Sequence, residues 1–288
     1  EGSLERDGSY GEGSGYFAYP IGTLLPAVLC MDAEERRQAF AASGLRHSAR
    51  WQAYPYFYAT DPEGKLLPLL AHFGDNGYAS APSPSVNLLI ASLYGDPVAP
   101  WLMDKFKRPL SVKDRLLLYS LPGGLPAART PAQEGLPLVK AFDSGDCYLR
   151  STWETNGIVL AMRSGDGSRI AFSHQRAELH SICLGAFGEY LVVSPGSASY
   201  RSPLHYHWDY TTRAANTITL DDKNQLFPGK GTSAWIKVEN KDFWVSGNPK
   251  AEVVLCKSGA LSDALVSEAA PAYHVPMVSA RRAVLYIR

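Results

Sequence analysis

No stretch of about eighteen consecutive apolar residues occurs in this chain, so no membrane-spanning helix is expected. An excess of charge is missing as well: 28 basic side chains face 28 acidic ones, for a formal net charge of zero. Binders of nucleic acid or of anionic membrane surfaces draw their affinity from a basic field, which this balance does not supply. Cysteine is scarce, with Cys30, Cys147, Cys183 and Cys256 far apart. Without a C-x-x-C pair, neither a zinc knuckle nor a dithiol redox centre is expected, and buried free thiols are. The opening residues, EGSLERDGSYGEG, are polar and glycine-rich and do not resemble a secretory leader, so either a cytosolic chain or a missing true beginning is expected.

What the 288 residues do hold is enough apolar material, 45% of the chain, for one large core or two modest ones. Tyr16 to Met31 is apolar but interrupted by Pro20 and Pro26, which predicts a broken or kinked helix. The segment DAEERRQAFAASG sets Asp32 and Glu35 in capping-box spacing and offers Gly44 as its stop. Aromatic residues recur from Trp51 to Tyr58 and suit core packing, with stacking on sugar rings as the alternative. A helix is predicted from Ser83-Pro84 to Gly95, and further helical pieces near Pro100 to Phe106 and Val112 to Ser120. On this reading the amino-terminal half is all-α. Proline and glycine then dominate residues 122–137, where the domain boundary falls. Beyond it, short β-rich runs (CYLRSTW, GIVLAMR, SRIAFS, AWIKV, AEVVLC) and the turn SGDG predict antiparallel strands. Helices followed by strands make the fold class α+β.

The stretch from Ala171 to Gln225 concentrates groups that donate, accept or move protons. Three apolar runs (His180 to Phe187, Tyr190 to Ser194, Asn216 to Leu220) are separated by turn residues and read as strands. Among and around them lie His174, His205, His207, Tyr190, Tyr200, Tyr206 and Tyr210. His180 sits within an apolar run and reads as structural.

The succession DGSYGEGSGYFAY, FGD, SHQRAELHSICLGAFGEYLVVSPGSASY and ANTITLDD touches both halves of the chain. In that order it resembles the heparinase II/III-like superfamily, whose polysaccharide lyases act on heparin, heparan sulfate and alginate and whose relatives include dermatan sulfate epimerase. The resemblance implies the C-terminal part of an (α/α) toroid over residues 1–121, a linker at 122–137, and an antiparallel β-sandwich over 138–288, with the active site in the cleft between. It implies an acidic polysaccharide or oligosaccharide as partner and a secreted or periplasmic location. Toroids of the family have more helices than this segment supplies, so the chain is expected to begin late in one. The family's carboxylate-neutralising Asn or His would then lie upstream of residue 1.

Carried over position by position, the family's D-G…E-G…Y motif falls on Asp7, Gly8, Glu12, Gly13 and Tyr16, and gives Tyr16 the proton-transfer role. Tyr19 is its nearest look-alike and, with Glu12, Arg176 and His205, a candidate substrate contact. The H-x-H-x-D motif keeps its first His as His174 but has Arg176 and Glu178 at the next two positions. The Asp of D-P-G is Ser194, and the His of H-N-T is Ala215. Many relatives hold a structural zinc ion on the second His, that Asp and that last His. Arg cannot ligate zinc and Ala has no donor, so no cofactor is expected, and Arg176 is expected to pair with Glu178 or another acid.

Removing the C5 proton of a uronate requires neutralisation of the adjacent carboxylate and a base within reach. Tyrosine, with an ordinary pKa of about 10, is a poor base unless a cation lowers that value, and His174 or an Arg is the natural candidate. Tyr210 is the preferred second proton carrier. The predicted activity is therefore β-elimination by a lyase using Tyr16 and Tyr210 with help from His174. A uronyl C5-epimerase, a non-catalytic carbohydrate-binding relative, and a hydrolase working through Asp7 and Glu12 are the alternatives.

Overall fold

A computed structural model describes residues 4–77, 80–120, 124–166, 174, 176–228 and 246–288. The runs SRIAFS and AWIKV, and the end of the turn SGDG, lie outside the described residues.

Helix α1 (Gly13–Cys30) is followed by α2 (Ala33–Phe40), a 3-10 turn at Gly44–His47 and α3 (Ser48–Ala53). α1 runs unbroken through Pro20 and Pro26, against the expectation of a break, although each proline removes one N–H from the ladder. The capping box on α2 forms: Asp32 Oδ1 accepts from the N–H groups of Glu34 and Glu35 (2.8 Å each), and the Asp32 N–H donates to Glu35 Oε2 (2.8 Å). α2 ends at Phe40, before Gly44. That glycine is needed for another reason, because a side chain there would collide with the Glu5 carbonyl.

The amino-terminal half is not all-α. Strands β1 (Tyr56–Thr60) and β2 (Leu66–Leu70) form an antiparallel hairpin with Tyr56 opposite Leu70. Its turn is the D-P-E-G sequence, where Asp61 Oδ1 accepts from the N–H groups of Glu63 and Lys65 (3.1 and 2.8 Å). Helices α4 (Pro84–Tyr94), α5 (Val98–Phe106) and α6 (Val112–Ser120) complete this half. α4 stops at Gly95 in the left-handed conformation (φ 63°), as its sequence predicts.

Most of the sheet in the remainder is antiparallel. One five-stranded sheet has the order β3-β4-β5-β7-β8, built from Val139–Ala141, Asp146–Arg150, Val159–Arg163, Ile182–Ala186 and Glu189–Val192. A four-stranded sheet has the order β13-β12-β11-β6, built from Arg281–Ile287, Ser262–Glu268, Lys250–Ser258 and Gly165–Asp166. Between them in sequence, β9 (Phe227–Pro228) and β10 (Ser246–Gly247) make a short parallel pair. Asn216 to Leu220 is not a strand. Asn216 spends its side-chain amide on the carbonyls of Ile182 and Val193 (3.1 and 2.8 Å), which ties the segment across β7 and β8 as a loop.

One hydrophobic core crosses the proline-rich boundary: Phe17, Trp51, Tyr54, Leu88 and Leu102 cluster with Tyr148, Trp153, Val159 and Cys183. The aromatic run from Trp51 to Tyr56 is core, not a sugar-stacking surface. Fully burying each large apolar side chain contributes about 1.5–3 kcal/mol. Gly185 on β7 sits directly under the ring of Phe57 from β1, and any Cβ there would overlap that ring. Val139, Cys147, Leu149, Met162 and Leu265 form a second cluster between the two larger sheets. Of the thiols expected to be buried, Cys147 and Cys183 are, whereas Cys30 is exposed and Cys256 half-buried.

Candidate active site

The motif loop before α1 is fastened from both halves. Asp7 Oδ1 accepts from the Ser9 N–H and hydroxyl (3.1 and 2.6 Å), and its Oδ2 accepts from the Asp143 N–H (2.8 Å). Arg163, paired with Asp146 in the core (2.5 Å), also donates to the Gly11 carbonyl (2.6 Å). Gly13 (φ 85°) then turns the chain into α1, in a conformation costly for any residue with a Cβ. Asn76 secures the helix start by accepting from the Gly15 N–H (2.7 Å) and donating to the Phe73 carbonyl (2.5 Å). Asp7 is thus a structural clamp. Tyr16, one turn into α1, is delivered to a fixed place.

At that place its ring stacks on His174, with centroids 3.5 Å apart and planes 19° from parallel. His174 Nδ1 faces Glu12 Oε2 at 3.2 Å, and Glu12 also accepts from the Tyr10 hydroxyl (3.3 Å). A carboxylate on Nδ1 sets the neutral ring's tautomer with the proton on that side, and Nε2 is then its basic nitrogen.

The second feature is Asp75, buried at 5% exposure in the F-G-D segment. Its Oδ2 accepts from the Tyr16 hydroxyl (3.2 Å) and the Tyr200 hydroxyl (2.5 Å), and the two phenols also hydrogen-bond each other. Its Oδ1 takes the Ser197 hydroxyl and lies 3.4 Å from Arg176 Nη2. Burial by itself would raise the Asp75 pKa. The hydrogen bonds from Ser197 and Tyr200 and the Arg176 charge outweigh it and hold the carboxyl below its usual range. Burial, followed by the influence of Asp75, pushes the Tyr16 phenol up, although the Tyr200 contact opposes this. Tyr200 is raised strongly, by burial first and then by Asp75. This corrects the expectation of a cation-activated tyrosine. Arg176 stands behind Asp75, so the phenols meet the carboxylate and keep their protons.

Of the residues expected at the site, Tyr16, His174 and Glu12 come together, with Glu12 buried against His174. Arg176 is buried as well. It pairs with Asp75, and its charge also acts on the buried Glu178, whose Oε1 accepts from the Gly74 N–H (2.5 Å). Tyr210 is not beside Tyr16: it is 1% exposed, under the Arg176 guanidinium (5.6 Å) and edge-on to His205 (4.7 Å). His205 is likewise buried, packed edge-on against Tyr200 (4.6 Å), so it braces that tyrosine from inside. Tyr19 is 74% exposed, further along α1. Tyr200, Asp75 and Ser197 are the additions. Tyr200 is counted among the tyrosines of the stretch but given no role by the sequence, and Asp75 stands in F-G-D without an assigned role either.

The positions that hold zinc in relatives offer one hydroxyl here, that of Ser194, since Arg176 is a cation bound to Asp75 and Ala215 has no donor. Among the described residues, the Ser194 hydroxyl and Arg176 Nε and Nη1 are buried without a hydrogen-bond partner, and no group of three or more His, Cys, Asp or Glu side chains could hold a metal ion. These residues do not fit zinc.

A largely helical half presents a tyrosine to a histidine from the half built of antiparallel sheets, an α+β arrangement with the candidate site where they meet. A family model described as heparinase II/III-like, C-terminal, matches residues 136–286, and the chain belongs to that family. No curated protein matches it. Similar solved structures include a mutant of the heparan sulfate lyase HepC from Pedobacter heparinus (16% identity, TM-score 0.62, covering 99% of this chain and 37% of that one). A heparinase III gene product with methylated lysines is similar too (18%, TM-score 0.64, 99% and 37%). So is another heparinase III (19%, TM-score 0.55, 99% and 39%). At these identities the likeness is one of fold, and the chain spans well under half the length of each.

Proposed function

We propose that the whole protein is a polysaccharide lyase that cleaves a uronic-acid-containing glycan by β-elimination at the Tyr16–His174 seam. The observation that supports this most is the stacking of a phenol from the helical half on an imidazole from the β half, beside a second phenol. His174 Nε2 takes the C5 proton, and the electron pair forms the C4–C5 double bond. The C4–O4 bond breaks, and O4 receives the Tyr16 proton. Tyrosines pushed up by burial and by Asp75 suit this acid role better than a base role. At 3.5 Å the stacked rings leave no room for a sugar between them, so both groups act from one side of the sugar ring. That favours elimination over epimerisation, which needs proton exchange on opposite faces. The donor set argues for a site that works without zinc. No helix among the described residues is long and apolar enough to cross a membrane, and a polymeric substrate suits a secreted or periplasmic enzyme.

The test is incubation of full-length protein with heparan sulfate, alginate and chondroitin, following ultraviolet absorbance of the new double bond. Tyr16→Phe is expected to lower the rate by about 10²-fold or more while leaving the melting temperature in place. Chain shortening without any new ultraviolet absorbance, kept in Tyr16→Phe and lost in Glu12→Gln, would assign hydrolysis instead. Glycan binding without cleavage by the parent protein would leave a carbohydrate-binding relative.

A further inference from the structure

A groove on the helical half shares no residue with the Tyr16 site. It runs between α2, the turn into α3 and the end of α4, and encloses about 510 Å³. Arg36, Arg37, Arg46 and Arg50 line it with His47, and Asp96 is the only carboxylate among the lining residues. This is a local basic field in a chain whose overall charge is zero.

The four guanidiniums are not alike. Arg50 is neutralised by Asp96 and Glu134 (3.1 Å each), and Arg37 pairs with Glu34. Arg36 Nε donates instead to the carbonyls of Met31 and Asp32 (3.0 and 3.3 Å), and Arg46 Nη2 to that of Ala41 (2.7 Å). A carbonyl fixes a guanidinium in position without cancelling its charge, and a five-donor fork retains donors for a further acceptor. Arg46 also lies over the ring of Tyr94 (5.7 Å), a second contact that holds its guanidinium at the groove without cancelling the charge. His47 records the same field: burial, then Arg46 and Arg50, hold its imidazole below its ordinary value.

We infer that this groove is a second binding site for an acidic oligosaccharide, with Arg36 and Arg46 taking a sulfate or carboxylate group. The anion preference rests on the groove alone; the choice of a glycan rests on the lyase reading of the Tyr16 site. A volume of this size suits a few sugar units rather than a duplex nucleic acid. Holding the chain away from the scissile bond lowers KM for long substrates and leaves short ones untouched.

The experiment titrates full-length protein with a size-fractionated heparan sulfate oligosaccharide, an alginate oligosaccharide and a single-stranded DNA, in a Tyr16→Phe background to suppress cleavage. The test variant, Arg36→Gln with Arg46→Gln, removes both charges while an amide can still reach the tethering carbonyls. Expected is a loss of at least about tenfold in affinity for one of the glycans, and a drop of about two in the salt slope. KM should rise for long glycans, with unchanged turnover of a disaccharide-length substrate in otherwise unaltered protein. Unchanged affinity and salt slope would overturn the site, and so would DNA that binds as tightly as the glycans. If the parent cleaves nothing yet binding depends on the two arginines, the lyase reading falls and the groove stands. If it cleaves normally and the arginines are silent, the reverse holds.

Discussion

Asp75 gathers the hydroxyls of Tyr16, Tyr200 and Ser197 and the Arg176 guanidinium on one buried carboxylate, so the site has an anionic floor. Asp75→Asn should act in two ways. It takes the paired carboxylate from buried Arg176, and breaking a buried pair from one side costs up to about 3–5 kcal/mol, less whatever Glu178 still supplies, readable as a fall in denaturation midpoint. It also removes a cause of the raised Tyr16 and Tyr200 pKa values. If the phenols are required protonated, the alkaline limb of the kcat profile moves to lower pH in the variant. A limb that stays put would argue against Asp75 as a positioning residue. At this scale the sequence was partly legible. Tyr16 was picked out through a motif whose residues survive intact, and His174 through the one residue of its motif that is kept. Tyr200 and Asp75 were not, because a loop tyrosine and an acid after glycine carry no periodic signal, and their role exists only once residues far apart in the chain meet.

Secondary-structure elements were legible where local chemistry dominates. The capping box of α2 and the glycine stop of α4 act within one turn, and both formed where their side chains predicted. The β1–β2 hairpin was missed because Tyr56, Phe57 and Tyr58 present no alternation, β1 being largely buried on both faces. Proline misled in the other direction, since α1 is held from outside at its start by Asn76 and tolerates two breaks in its ladder. Pro26 lies on an exposed turn of α1. Pro26→Ala restores an N–H and removes ring strain, partly offset by a freer unfolded chain, and should stabilise by about 1–2 kcal/mol. Calorimetry would show a higher melting temperature; a lower one would mean that the proline shape is itself required.

On the scale of the whole molecule, the composition shift at residues 122–137 marks a change from helices to sheet, yet the packing continues across it. Tyr54 donates to the Pro137 carbonyl (2.8 Å), and Arg150 from β4 donates to the carbonyls of Tyr54 and Tyr56 (2.6 Å each). A shared core of this kind predicts one cooperative calorimetric transition for the two halves. Two separated transitions would show that the seam is weaker than its contacts imply. A linear string cannot display this, because proline and glycine look the same whether they separate bodies or merely route the chain along one.

The Gly185–Phe57 junction carries an evolutionary and engineering corollary. With a bare backbone receiving an aromatic ring, neither partner has slack to drift alone. Chimaeras that exchange helical and sheet portions among distant relatives should assemble only when the parent pair travels as a matched set. Grafting active-site loops by themselves would import reactive groups onto a hinge line cut for different teeth.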